Sequence, residues 1–94
     1  MKRLFAQVLN DAANKALEDG KITKDDLLFI RRARFHPFVM QVIKKRITEE
    51  AVMVHAVGAV NISIEDIDWQ TLFDFTVEIM PLIIELVKFV FQLI

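Results

Sequence analysis

Two histidines, thirteen carboxylates and a single serine, Ser63, are what this chain offers for catalysis, since it has no cysteine and no tyrosine. Covalent catalysis needs a nucleophile, a base within hydrogen-bond reach and a third group that orients the base. His36 and His55 are nineteen residues apart and neither neighbours Ser63 in sequence, so spacing assembles no such set. His55 beside Glu49 and Glu50 is the one pairing with the makings of a general base. It sits within Val52-Met53-Val54-His55-Ala56-Val57, however, where a histidine hydrogen-bonded to backbone in a core is the simpler reading. His36 precedes Pro37 and reads as a helix cap. His-x-x-x-His and Cys-x-x-Cys spacings are absent. The sequence therefore predicts no enzyme, no catalytic residues, no cofactor and no metal ligands.

The turn Glu18-Asp19-Gly20-Lys21-Ile22-Thr23 resembles a calcium loop at first sight. With Gly20 at the loop's sixth position, Ile22 fits the eighth and Asp26 the twelfth, but Lys15 and Leu17 fall where the first and third carboxylates belong. An ammonium and an alkyl chain cannot replace two oxygen ligands, so this turn reads as a helix–helix corner.

Charge is the third chemical resource. Residues 1–48 carry eleven bases and five acids, a net +6, whereas residues 49–94 carry one base, Lys88, and eight acids, a net −7. The bases concentrate in Arg31, Arg32 and Arg34 and in Lys44, Lys45 and Arg46, which together make a candidate basic face. Phosphate contacts from a helix-turn-helix-like corner at His36-Pro37 are one use for it. No asparagine or glutamine accompanies Arg31–Arg34 to read base edges, and the whole chain is slightly acidic, at −1. The near-cancellation of the halves favours mutual attraction, within a chain or between chains, so self-association should weaken as salt rises. Nucleic acid is therefore not the expected partner, and an adaptor that delivers this basic face to nucleic acid is the third reading.

The elements that must carry these residues are helices. Leu4, Phe5, Val8, Leu9, Ala12, Ala13, Ala16 and Leu17 form one apolar face of a first helix over residues 2–19. Gly20 suits the left-handed residue beyond its end, with Ile22 folding back. Thr23-Lys24-Asp25-Asp26 is a capping-box-like start to a second helix that ends before His36-Pro37. Pro37 opens a third, through Phe38, Val39, Val42, Ile43 and Ile47. Thr48-Glu49-Glu50 predicts the start of a fourth, buried over Ala51–Val57 and ended by Gly58. Val60 to Ile64 alternates and is β-branched, the pattern of an extended linker over residues 59–67.

The last helix is the most telling element. Asp68 caps it, and Pro81 removes a backbone bond and should kink it. Gln70, Thr71, Asp74, Glu78, Pro81, Glu85, Lys88 and Gln92 fall within about 100° of its circumference, and nearly everything else is apolar. Four short helices cannot cover the remainder, so Trp69, Phe73, Phe75, Ile79, Leu82, Ile83, Leu86, Phe89, Val90 and Leu93 are the candidate interface to another subunit or partner. Glu85 and Lys88 are expected to pair weakly on the wet side. A lone membrane span is disfavoured. Eleven Leu, Ile, Val and Phe residues in 79–94 contribute roughly −3 to −7 kcal/mol, and Glu85 and Lys88 cost roughly 2.5–3.5 kcal/mol each. An in-plane helix or an oligomeric pore remains as the second reading.

The sequence thus predicts a single all-α domain over residues 1–94, a small bundle of four short or medium helices plus a long proline-kinked hydrophobic helix over 68–94. Its expected role is non-catalytic and structural, as a homo-oligomer or with a protein partner, through the last helix. The basic start, Met-Lys-Arg, is followed by an apolar run broken at Gln7, too short for a signal-peptide core, so the expected location is cytoplasmic, with peripheral membrane association as the alternative.

Overall fold

A computed structural model describes residues 4–55 and 68–94, apart from the side chains of residues 52, 54 and 55. The described residues form four helices and no strand: α1 (Phe5–Glu18), α2 (Lys24–Arg34), α3 (Pro37–His55) and α4 (Trp69–Leu93). The expected all-α class holds. The predicted end at Gly58 and the extended segment at Val60–Ile64 lie outside the described residues.

Local chemistry sets each boundary. Past the end of α1, the Gly20 amide donates to the Leu17 carbonyl at 3.1 Å and the Lys21 amide to Ala16 at 2.9 Å. This double closure requires a left-handed residue, and Gly20 has φ +76°. Ile22 folds back and is buried. At the start of α2, the Asp26 amide donates to Thr23 Oγ1 at 3.2 Å while the Thr23 amide donates to Asp26 Oδ2 at 3.0 Å. That reciprocal pair is a complete capping box. At the next corner the Val39 amide donates to His36 Nδ1 at 3.4 Å, so His36 is the expected cap and Pro37 the first residue of α3. The Thr71 amide donates to Asp68 Oδ2 at 3.3 Å, which makes Asp68 the cap of α4.

Thr48 corrects the sequence reading. Instead of starting a fourth helix it lies inside α3, its hydroxyl donating to the Lys44 carbonyl four residues back at 2.7 Å. Val39, Ile43, Ile47 and Ala51 recur every four residues and are all buried, so one continuous ridge holds the helix together across Thr48. Three helices therefore precede α4 among the described residues, where four were expected. Met53 is a second correction, being exposed where Ala51–Val57 was expected to be buried.

Helix α4 packs against all three of the others, most extensively against α1. Ala12, Ala13 and Ala16 of α1 are completely buried in the shared core, and side chains this small let helix backbones approach closely. Leu9, Ile30, Ile43, Ile47, Met80, Ile83 and Val87 fill the rest. Thr76, the one polar residue buried among the described ones, donates its hydroxyl to the Leu72 carbonyl at 2.7 Å, so its burial leaves no orphaned group. Helix α4 runs through Pro81. Among the described residues no helix is long and apolar enough to cross a membrane.

Candidate functional site

The residues with catalytic potential are engaged structurally where they are described. His36 caps α3, and its ring meets Phe91 edge-on with centroids 6.0 Å apart. Ser63 and the His55 side chain lie outside the described residues. At the turn that resembles a calcium loop, Lys15 Nζ lies 3.9 Å from Glu18 and 3.3 Å from Asp19. Asp26 is committed to the capping box. Among the described residues no group of three His, Asp or Glu side chains is gathered to hold a metal.

Asp26 does more than cap. Its Oδ1 receives Lys88 Nζ of α4 at 2.9 Å, and its side chain is 17% exposed. The expected Glu85–Lys88 pair gives way to this bridge, because Lys88 points toward α2 while Glu85 stays exposed. The sole base of the acidic half thus meets an acid of the basic half. The amide of Thr23, and after it the Lys88 ammonium, holds the Asp26 carboxyl below its ordinary value of 3.8, against a smaller opposing effect of burial. Beside this bridge Arg32 stacks its guanidinium over Phe91, 4.5 Å from the ring centroid, and over Phe29 at 5.7 Å. Lys88 Nζ lies 5.4 Å over the same Phe29 ring. The α2–α4 junction is therefore a self-contained knot of two cations, two phenylalanines and one carboxylate.

The rest of the candidate basic face divides. Arg34 Nη1 donates to Asn10 Oδ1 of α1 at 3.4 Å, and Arg46 pairs with Glu50 one turn on at 3.1 Å. Arg31, Lys44 and Lys45 are exposed.

The ten candidate interface residues of α4 also divide. Phe75, Ile83 and Val90 are buried within the chain itself, Ile83 and Val90 in the shared core, a correction to the expectation that other subunits cover them. Three helices wrap more of α4 than the sequence suggested, because α1 with its alanines comes in close. Phe73, Ile79 and Leu86 are half-buried at the core's edge. Trp69 stays 42% exposed, stacked edge-on to Phe73. Leu82, Phe89 and Leu93 are 53%, 57% and 69% exposed.

The outward residues have a regularity that the sequence reading missed. Phe75, Ile79, Leu82, Leu86, Phe89 and Leu93 recur at alternating steps of four and three, the 3.5-residue repeat with which one helix meets another. Beyond the buried Phe75, Leu82, Phe89 and Leu93 of this seam are exposed and Ile79 and Leu86 half-buried, and Glu78 and Glu85 flank it on one side, both exposed. The alternating steps were legible in the sequence, but they merged into an apolar surface that runs nearly all round the helix.

A second exposed apolar group was also missed. Leu28 and Phe35 lie on the outward ridge of α2, with Arg31 between them, and Phe38 follows in the first turn of α3. All three are more than half exposed, Phe35 at 84%. They escaped notice because a lone Leu or Phe between arginines breaks no helical pattern. No known protein family, curated protein or solved structure matches the chain.

Proposed function

We propose that this protein is a non-catalytic assembly module that self-associates through the outer seam of α4. One observation carries this reading: Ile79, Leu82, Leu86, Phe89 and Leu93 form a coiled-coil-spaced row at or beyond the edge of the chain's own core. Burying such side chains against a second helix stabilises an assembly by roughly 1.5–3 kcal/mol for each one fully covered. Pro81, on the exposed edge of α4, lacks the amide that would bond to Val77, and a bend at this point would shape the seam that a partner meets. Lipid is the weaker occupant, because Asp74, Glu78 and Glu85 border the exposed side and repel anionic headgroups.

Light scattering without detergent tests the reading. The expected result is a mass of at least two chains of 10.9 kDa at tens of micromolar, reduced to one chain by Leu82→Asp with Phe89→Asp. A monodisperse wild-type monomer at that concentration, or association seen only with detergent or vesicles, would sink it.

A further inference from the structure

We infer that the assembly is head-to-tail: the acid-flanked seam of α4 on one copy docks on the face of α2 flanked by Lys24 and Arg31, and on the first turn of α3, of a second copy. This inference rests on the reading of α4 as a self-association seam and adds its partner surface.

Charge selects the occupant. The seam offers Leu82, Phe89 and Leu93 with Glu78 and Glu85 along one flank. The α2 face offers Leu28, Phe35 and Phe38 with Arg31 between the first two and Lys24 one turn before them, all exposed. Apolar centres match, and the flanking charges are opposite along the Lys24–Arg31 side, while the exposed Asp25 lies on the other side of Leu28. Pairing two seams with each other lacks this match. An antiparallel two-fold arrangement gathers Glu78 and Glu85 of both copies along the same side of the contact, like charge beside like charge. A parallel arrangement sets those acids toward the flank of Ile83 and Val90, which is already buried in its own chain.

Geometry lets one chain use both faces at once. Lys88 and Phe91 of α4 both meet α2. Around the α4 axis they are turned roughly 100–180° from Leu82, Leu86 and Phe89, so α2 flanks the side of α4 away from the seam. A docked copy on the seam leaves the α2 face free. Two different complementary faces on one chain make a heterologous contact, which propagates into a ring or an open filament rather than stopping at a dimer.

Two half-blocked full-length chains test this. The seam variant carries Leu82→Asp and Phe89→Asp, and the face variant carries Leu28→Asp and Phe35→Asp; all four positions are exposed, and circular dichroism confirms that each chain remains helical. Light scattering should show wild type as a multimer whose mass falls as salt is raised, and each variant alone as a single chain. An equal mixture should give a one-to-one heterodimer, twice the chain mass, with growth stopped because its only remaining faces are the blocked ones. Charge-swapped chains give a second readout: Glu85→Arg mixed with Arg31→Glu should associate at least tenfold more tightly than either does alone. A face variant that self-associates like wild type overturns head-to-tail docking and leaves the α4 seam standing. A mixture that stays monomeric overturns head-to-tail docking too. A monomeric wild type removes both readings.

Discussion

The two sides of α4 carry the same kinds of residue and have opposite fates. Ile83 is completely covered while its neighbour Leu82 is more than half exposed, and Val90 is buried beside an exposed Phe89. The inner side belongs to a ridge with Met80, Ile83 and Val87, against which α1, α2 and α3 close. The outer side has the 3.5-residue repeat of a helix-pairing seam; Phe75 at its start is buried, Ile79 and Leu86 are half-buried, and Leu82, Phe89 and Leu93 are exposed. The lesson is that hydrophobicity around a helix records everything the helix must touch. Only the packing of its own chain separates the share spent on folding from the share left for others.

Substitution on the two sides should separate them most sharply. Ile83→Ala should cost about 2–5 kcal/mol of folding stability, as an unfilled core cavity does. Leu82→Ala should stay within about 0.5 kcal/mol for the isolated chain, since exposed positions rarely do more. Denaturant titration at concentrations where the chain is monomeric reads both. Equal losses at the two positions would end the comparison.

Next in size is the bridge that fixes α2 to the inner side. Asp26→Ala removes half of a capping box and the partner of Lys88, and should cost about 1–2 kcal/mol, or roughly 4–16 °C in melting temperature for a chain this small. The sign of the pH effect follows from the lowered carboxyl. Asp26 is charged and bonded in the folded chain at pH values where it would begin to take up a proton when unfolded. Its contribution is therefore complete above the ordinary carboxylate value of 3.8 and is lost as pH falls through the lower folded value. Wild type and Asp26→Asn should converge in stability below that range. A gap that persists unchanged in strong acid would contradict the bridge.

Gly20→Ala should cost about 1 kcal/mol. Beyond its chain neighbours no atom lies within 4 Å of the added methyl, so the effect is the strain of a left-handed alanine at φ +76°. The smallest effect belongs to the outer side. Glu85→Gln should change folding stability by less than about 0.5 kcal/mol, because Glu85 is exposed and Lys88 is committed to Asp26. A larger fall on thermal melting would place Glu85 in the fold rather than at the seam's flank.

What could be read from the sequence was local. The caps at Thr23, His36 and Asp68 and the glycine closure at Gly20 depend on residues three to five apart, and all four stand as expected. The start at Thr48 failed although its signal was also local, since the ridge of Ile43, Ile47 and Ala51 overrides a capping preference once it is packed. The Lys88–Asp26 bridge joins distant parts of the chain, and no spacing rule reports such a pair. The interface residues were legible as a set. Dividing them into Phe75, Ile83 and Val90 for the core and Leu82, Phe89 and Leu93 for the surface required knowing how closely α1 approaches.

The absence of cysteine allows the most direct test of the outer seam. A single Leu82→Cys substitution places one thiol on it, and the labelling rate of that thiol is measured as protein concentration rises. Self-association through the seam predicts that the rate falls by roughly tenfold or more between about 1 and 100 μM, as mass action covers the site. A rate that stays constant across that range would contradict the account.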